Sequence, residues 1–123
     1  MPEASIHGVR IRGIAAAVPE RVLGPEDLSE TFGPEMAAKL VASTGVRQRR
    51  RVRPGQTTTD LAECAAKSLV RELAWEPSSI DVLLFVSQTF DYLMPASSCV
   101  LHGTLGLSKS AAAFDIGLGC SGW

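Results

Sequence analysis

The sequence predicts an α/β fold in which helices cover a mixed, mainly parallel sheet. Helical segments alternate with short apolar runs along the chain, and this alternation is typical of helices that connect parallel strands. The runs IDVLLFVSQT (residues 80–89) and AAAFDIG (111–117) are largely apolar, as expected of strands that are covered on both faces. With 123 residues, 46% of them hydrophobic, the chain is long enough for one domain with a core.

The first segment with a clear pattern is HGVRIRGIAAAVP (residues 7–19). Val9 and Ile11 alternate with arginines, which predicts a strand that ends at Pro19.

The next segments predict two short helices and an edge strand. Pro25 and Pro34 stand at first-turn positions, each followed by acidic residues, and Gly45 marks the end of the second helix. The basic segment GVRQRRRVRPG (45–55) is short and closes with Pro-Gly, which predicts an irregular or edge strand.

The clearest helix is TTTDLAECAAKSLVRELAW (57–75), which we expect to end at Glu76-Pro77. Asp60 with Glu63 resembles a capping box. A buried stripe recurs every four residues, and its members are Leu61, Ala65, Leu69 and Leu73. MPASSCVLHGTLGL (94–107) predicts a further helix, and AAAFDIG a last buried strand.

Composition excludes several classes of function. The net charge of −1 gives no reason to expect a nucleic-acid partner. The longest apolar run, residues 82–86, cannot span a bilayer, and the amino terminus lacks the apolar stretch of a signal peptide. The three cysteines are an odd number without close spacing, which favours free thiols and a reducing compartment, hence the cytoplasm. We expect no membrane and no nucleic acid as partners.

The segment GLGCSG (117–122) follows a predicted strand and surrounds Cys120 with glycines. It matches G-x-G-x-x-G, but a dinucleotide site would also need a following helix and an acidic residue about 20 positions on. A second interpretation is a nucleophile elbow, in which a tight strand-to-helix turn presents a reactive cysteine. The alternative is a purely structural role, as a small buried cysteine in a glycine-rich turn. These residues alone leave the last two alternatives open.

Two other clusters have a functional and a structural interpretation. The basic run RQRRRVR (47–53) holds five of the twelve Lys and Arg residues; it would suit a phosphate contact, but a solvated or salt-bridged strand is the favoured interpretation. Cys99 and His102 share a helix face, but a metal site needs more ligands, so we expect both to be packed inside. Cys64 is expected in the core. No metal or cofactor is predicted.

Residues 79–123 resemble the ketoacyl-ACP synthase III family of thiolase-fold enzymes. The matching features are the Ile80-Asp81 strand entry, the segment DYLMP, a helix ending in LG, and AAFDIGLGCSG. STGVRQRR also resembles the family segment Thr-Gly-Ile-Arg-x-Arg-Arg, and IRGIAAAVPE its first strand. The resemblance therefore covers essentially the whole chain.

This resemblance implies a thiolase-like layered fold, with residues 1–123 as the amino-terminal half and the carboxy-terminal half absent. It makes Cys120 the residue that takes an acyl group as a thioester, before decarboxylative condensation with malonyl-ACP in fatty acid or polyketide biosynthesis. Met94 would line an acyl pocket, and Thr44 and Arg47 would bind substrate. The partners implied are an acyl carrier protein or acyl-CoA and, in the complete protein, a second copy in a homodimer.

The family's His and Asn partners of the cysteine are not matched within this chain, so residues 1–123 alone are expected to be inactive. Lys39 and Ser43 stand where family members often have an aromatic residue and an arginine, which favours a carrier protein over CoA. Two alternatives stay open. One is an acyl- or ester-transferring relative without decarboxylation, and the other is a non-catalytic partner subunit of a condensing enzyme.

Overall fold

The computed structural model describes residues 5–120 and 122, and within them four strands and four α-helices. In chain order these are β1 (Arg21–Leu23), α1 (Pro25–Phe32), α2 (Pro34–Thr44), β2 (Arg49–Arg51), α3 (Thr58–Glu72), β3 (Val82–Val86), α4 (Ser97–Thr104) and β4 (Ala112–Ile116). A 3₁₀ turn, Pro77–Ser79, lies between α3 and β3.

The first packing unit consists of α1, α2 and the antiparallel pair of β1 and β2. The helix α1 begins where the Asp27 carboxylate accepts a hydrogen bond from Gly24 N at 2.7 Å, which satisfies one of the free N–H groups of the first turn. The helix α2 ends at Gly45, whose positive φ of 71° suits a residue without a Cβ. Leu28 and Ala37 are buried between the two helices.

The second packing unit consists of α3, α4 and the parallel pair of β3 and β4. The strands run in register from Val82 opposite Ala112 to Val86 opposite Ile116, and α4 connects them and packs on both. Phe85 and Leu101 are among the buried residues of this unit. The α/β class, the predicted helices and the parallel strand pair are confirmed.

The sheet differs from the expected one. In the described residues, β1 pairs only with β2 and β3 only with β4, so two separate two-stranded sheets replace a single mainly parallel sheet. The strand predicted over residues 7–19 is also wrong: this segment has no regular structure, and Val9 and Ile11 are 77% and 81% exposed. A strand needs a neighbour to take its backbone hydrogen bonds, and alternation in sequence does not supply one.

The expectation that β3 is covered on both faces is wrong for the described part of the chain. Phe85 is buried against the helices, but Leu84 is 56% exposed on the opposite face, with Phe114 of β4 beside it at 54%. Side chains alternate between the two faces of a strand. The parallel pair therefore has one helix-covered face and one open apolar face, which includes Val82, Leu84, Val86 and Phe114.

The helix α3 is confirmed, with three corrections. Thr57 and Asp60 form the capping box, with Thr57 N donating to Asp60 at 2.8 Å, while Glu63 instead pairs with Lys67 one turn on. The helix ends at Glu72, before Glu76-Pro77. The predicted stripe is half-buried rather than buried.

The expected burial of two cysteines is wrong. Cys64 on α3 and Cys99 on α4 are both exposed, and both are free thiols. His102 is half-buried, and its Nε2 lies 2.9 Å from the Ser108 carbonyl oxygen, which joins α4 to the loop before β4.

Candidate active site

The candidate site lies at the carboxyl ends of the two parallel strands. The chain leaves β3 at Val86 and reaches Met94 eight residues later; it leaves β4 at Ile116 and reaches Cys120 four residues later. Ser87 N donates to the Ile116 carbonyl at 3.1 Å and extends the pairing to this end. Open α/β sheets bind ligands outside the carboxyl ends of their strands, so the fold places both segments where a site is expected.

Cys120 lies in a turn and its side chain is exposed. Gly122 N donates to the Gly119 carbonyl at 2.9 Å, which closes the turn around the cysteine. The alternative of a small buried cysteine is therefore wrong. The helix expected to follow Cys120 would include Ser121 and Trp123, which lie outside the described residues.

The glycines around Cys120 allow the turn to approach the end of β3 closely. A Cβ on Gly122 would lie 2.6 Å from Val86 Cγ1 and 3.0 Å from the Gly119 carbonyl oxygen. A Cβ on Gly119 would collide with the side-chain amide of Gln88. The close approach to Val86 and to the backbone of Gly119 therefore accounts for Gly122 without a dinucleotide, whereas Gly119 meets only the end of a flexible side chain.

Asp115 connects the Cys120 strand to the start of α4. Its carboxylate accepts hydrogen bonds from Ser97 N at 2.8 Å and Ser98 N at 2.7 Å. Burial raises the pKa of the Asp115 carboxyl, but the hydrogen bonds from Ser98 and Ser97 outweigh it, and the pKa lies below its ordinary value of 3.8. The negative charge also faces the positive end of the helix. Asp115 therefore fixes β4 to the segment that follows Met94.

Asp91 ties the loop after β3 to the start of α3. It accepts a hydrogen bond from Thr59 N at 3.4 Å, and Thr58 and Thr89 join their hydroxyls at 3.1 Å. Burial raises the pKa of the Asp91 carboxyl. Hydrogen bonds from Thr59, Thr57 and Thr58 lower this pKa by more than burial raises it, so the pKa lies below its ordinary value of 3.8.

The side chain of Met94 projects from this loop into solvent. Its side chain is 87% exposed, its peptide bond to Pro95 is cis, and its neighbours Tyr92 and Leu93 are exposed as well. The loop is therefore anchored at Asp91 and at α4, with apolar side chains projecting between the two anchors.

Thr44 and Arg47 lie in the other packing unit. Thr44 is the last residue of α2, where its hydroxyl donates to the Leu40 carbonyl at 2.7 Å and accepts from Val46 N at 3.2 Å. Arg47 is exposed just before β2. Met94 and Cys120 thus lie in the segments that follow the two parallel strands, whereas Thr44 and Arg47 lie at the end of α2 and just after it, in the other packing unit.

Sequence reasoning missed Asp115, Asp91 and Gln88. Asp115 carried a signal, because a carboxylate inside an otherwise apolar strand needs hydrogen-bond donors. Gln88 carried none, since its contact with Gly119 depends on the register of the two strands.

The structure offers no metal centre in the residues it describes: no three His, Cys, Asp or Glu side chains are grouped to hold an ion. None of the described helices is both long and apolar enough to cross a membrane.

The chain was compared with known proteins over its whole length, including the candidate site. No family model matches the chain. Over 118 residues it is 36% identical to beta-ketoacyl-[acyl-carrier-protein] synthase III of Symbiobacterium thermophilum, covering 96% of this chain and 35% of that protein. The corresponding protein of Caldanaerobacter subterraneus is 34% identical, over 92% of this chain and 34% of its own length. The chain is homologous to ketoacyl-ACP synthase III proteins. It spans about a third of the length of these relatives.

A solved structure gives the same result for the fold. The crystal structure of a 3-oxoacyl-(acyl-carrier protein) synthase from Burkholderia xenovorans matches with a TM-score of 0.84 and 37% identity, covering 89% of this chain and 32% of that one. The resemblance to the synthase III family and the thiolase-like layered fold, both predicted from the sequence, are confirmed.

Proposed function

We propose that the complete protein is a 3-oxoacyl-ACP synthase III-like acyltransferase in which Cys120 carries the acyl group. One observation carries the proposal. In a chain homologous to synthase III proteins, the turn at the end of β4 presents an exposed Cys120 beside the end of β3. A nucleophile must be accessible to substrate, and glycines on both sides leave room for one.

The first step is acyl transfer to sulfur. The Cys120 thiol gives up its proton, its sulfur attacks the carbonyl carbon of an acyl thioester, the carbon–sulfur bond to the donor breaks, and the donor sulfur leaves and takes up that proton. The product is an acyl-Cys120 thioester. The backbone N–H groups of the turn are the nearest donors of this chain for the oxyanion that forms during attack.

The second step is decarboxylative condensation. A malonyl thioester loses carbon dioxide, its α-carbon attacks the acyl-Cys120 carbonyl, and the Cys120 sulfur leaves as the free nucleophile. The residues that hold the malonyl group are proposed to lie in the remainder of the protein. The donor is an acyl carrier protein or acyl-CoA, and the complete protein is proposed to act as a homodimer in the cytoplasm.

The three other candidate residues have roles in substrate binding. The exposed apolar side chain of Met94 is proposed to line the acyl pocket, across a dimer interface. Thr44 and Arg47, in the separate packing unit beside α2, are proposed to contact the thioester donor at a distance from the acyl chain.

The activity is tested with the full-length protein, an acyl thioester and malonyl-ACP, by measuring release of carbon dioxide and the 3-oxoacyl product. We expect both products from the wild type and neither from Cys120→Ala. Cys64→Ala is a matched control, because Cys64 is also an exposed free thiol but lies on α3. We expect it to keep full activity.

The same assay separates the alternatives. Acyl transfer to another acceptor without carbon dioxide release would establish a transferase without decarboxylation. Absence of both reactions, together with a rise in the activity of a homologous synthase above its own level when this protein is added, would establish a partner subunit. Either result would overturn the condensation step.

A further inference from the structure

Gln88 is a polar side chain that contacts the Cys120 turn from the end of β3. It follows β3 by two residues and is exposed. A Cβ on Gly119 would overlap the Cδ, Nε2 and Oε1 atoms of its carboxamide. The carboxamide therefore lies against Gly119, the residue before Cys120, in the space that a side chain at position 119 would fill.

The backbone on both sides of Gln88 is held in place. Ser87 N donates to the Ile116 carbonyl at 3.1 Å, which ties this residue to β4. Thr89 N donates to Ser87 Oγ at 3.0 Å, and the Thr89 hydroxyl lies 3.1 Å from that of Thr58 on α3. Gln88 thus lies between two anchored neighbours, so the base of its side chain is fixed beside the turn.

The end of the Gln88 side chain, in contrast, has no hydrogen-bond partner among the described residues. A carboxamide offers two N–H donors and an acceptor oxygen. Gln56 shows what a structural glutamine does, because its Oε1 accepts from Arg53 N at 3.2 Å in the loop before α3. Packing against a glycine needs no polar group, so the Gln88 carboxamide keeps its hydrogen bonds for a ligand.

An acyl group on Cys120 would bring a polar atom to this carboxamide. In a thioester the carbonyl carbon is bonded to the cysteine sulfur, so the carbonyl oxygen stays close to the turn whatever the acyl chain is. Cα atoms of neighbouring residues are about 3.8 Å apart, so a carboxamide against Gly119 is within reach of that oxygen. The acyl group would also displace water from the carboxamide, and a polar group that loses water without a new partner costs free energy.

We propose that Gln88 donates a hydrogen bond from Nε2 to the carbonyl oxygen of the acyl thioester at Cys120. This inference rests on the proposed acyl transfer to Cys120, and it adds a side-chain donor to the backbone N–H groups of the turn. The hydrogen bond strengthens as negative charge develops on the oxygen during attack, so it lowers the barrier and not only the energy of the bound substrate. Gln88 donates a hydrogen bond and transfers no proton.

Two variants separate hydrogen bonding from packing. Gln88→Met keeps a side chain of similar length against Gly119 but removes the donors and the acceptor, whereas Gln88→Ala removes the packing as well. Full-length protein is mixed with acetyl-CoA or octanoyl-CoA without malonyl-ACP, and the rate of adduct formation on Cys120 is followed by mass spectrometry. We expect Gln88→Met to lower the maximal rate about tenfold or more, equally for both acyl chains, with little change in the substrate concentration for half-maximal rate.

Gln88→Glu tests the donor itself. An ionised carboxylate has no donor and repels the oxyanion, so its acylation rate at about pH 8 should fall below that of Gln88→Met. Protonation restores an O–H donor. The rate of Gln88→Glu relative to the wild type should therefore rise from about pH 8 to about pH 5, as the introduced carboxyl takes up its proton.

Two controls distinguish a substrate contact from a structural role. Gln56→Ala removes a carboxamide whose partner is the backbone of Arg53, and it should form the adduct at the wild-type rate. Alkylation by iodoacetamide forms no carbonyl oxyanion, so its rate on the Cys120 peptide should be the same in Gln88→Met and in the wild type. Both Gln88→Met and the wild type should melt alike, since Gln88 is exposed.

The outcomes separate this proposal from the one on which it rests. Acylation of Gln88→Met at the wild-type rate would overturn the role of Gln88. An equal loss of acylation and alkylation in Gln88→Met would also overturn it, because Gln88 would then only support the turn. Failure of the wild type to form an adduct on Cys120 would overturn acyl transfer itself, and the role of Gln88 with it.

Discussion

Asp115 on β4 accepts a hydrogen bond from the backbone N–H of Ser98 on α4 at 2.7 Å, with a second from Ser97 at 2.8 Å. The strand that leads to Cys120 is thereby fixed to the helix that follows Met94. One carboxylate therefore holds together the two segments that form the candidate active site.

Asp115→Asn should destabilise the complete protein by roughly 1–3 kcal/mol at neutral pH, because an amide nitrogen would face a backbone donor. The folded-state pKa of Asp115 is lowered. Its stabilisation is therefore fully present above the ordinary pKa of 3.8 and is lost as the pH falls through the lower pKa of the folded state. Urea unfolding at pH 6 and pH 3 should show the difference between the two proteins shrinking at pH 3.

Asp60→Asn is the control for this variant, because Asp60 caps α3 without touching β4. Because the strand before Cys120 loses its anchor to α4, the rate at which iodoacetamide alkylates Cys120 should change in Asp115→Asn and stay unchanged in Asp60→Asn. Equal rates in the wild type and both variants would limit Asp115 to a stabilising role.

The two glycines beside Cys120 should differ in their tolerance of a methyl group. The methyl group of Gly122→Ala would collide with Val86 Cγ1 and press on the Gly119 carbonyl oxygen. The Gly119 backbone can move away only if the turn around Cys120 changes. Gly119→Ala meets only the end of the flexible Gln88 side chain. We expect Gly122→Ala to lose most acylation and Gly119→Ala to keep a larger share, measured as the rate of acyl-enzyme formation. The reverse order would contradict the geometry of this turn.

The sequence was sufficient to predict the elements whose signals are local. Pro25 and Pro34 mark two helix starts and Gly45 a helix end because these residues act through their own backbone. The exposed Cys120 was one of two alternatives, and the resemblance to known enzymes favoured it.

The features that depend on distant residues could not be predicted in this way. Residues 7–19 alternate like a strand but find no pairing partner among the described residues. Burial of Cys64 was inferred from an alanine-rich helix, although burial depends on what packs against that side. The contact between Gln88 and Gly119 arises from strand register, which no local pattern encodes.

Met94 should control acyl chain length in the complete protein. Met94→Ala should shift the preference to longer acyl thioesters and Met94→Trp to shorter ones, with about 1–3 kcal/mol of selectivity per methylene. Met36→Ala is the matched control, because Met36 is an exposed methionine on α2. Acylation rates over a series of chain lengths decide the matter, and an unchanged preference in both variants would show that Met94 does not line the pocket.

The open apolar face of β3 and β4 should make residues 1–123 associate when expressed alone, because large exposed apolar patches drive association. We expect sedimentation velocity to show oligomers or aggregate for this fragment. Leu84→Gln combined with Phe114→Gln should reduce the association. Met36→Gln, which replaces an exposed apolar side chain outside this face, should not. A monodisperse monomer with cooperative melting would contradict this expectation.

Peptide mass spectrometry can show whether Cys120 carries the acyl group. Full-length protein is incubated with an acyl thioester in the absence of malonyl-ACP, digested and mapped. We expect one acyl adduct, on the peptide containing Cys120, and its disappearance in Cys120→Ala. An adduct on Cys64 or Cys99, or one that persists in Cys120→Ala, would contradict it.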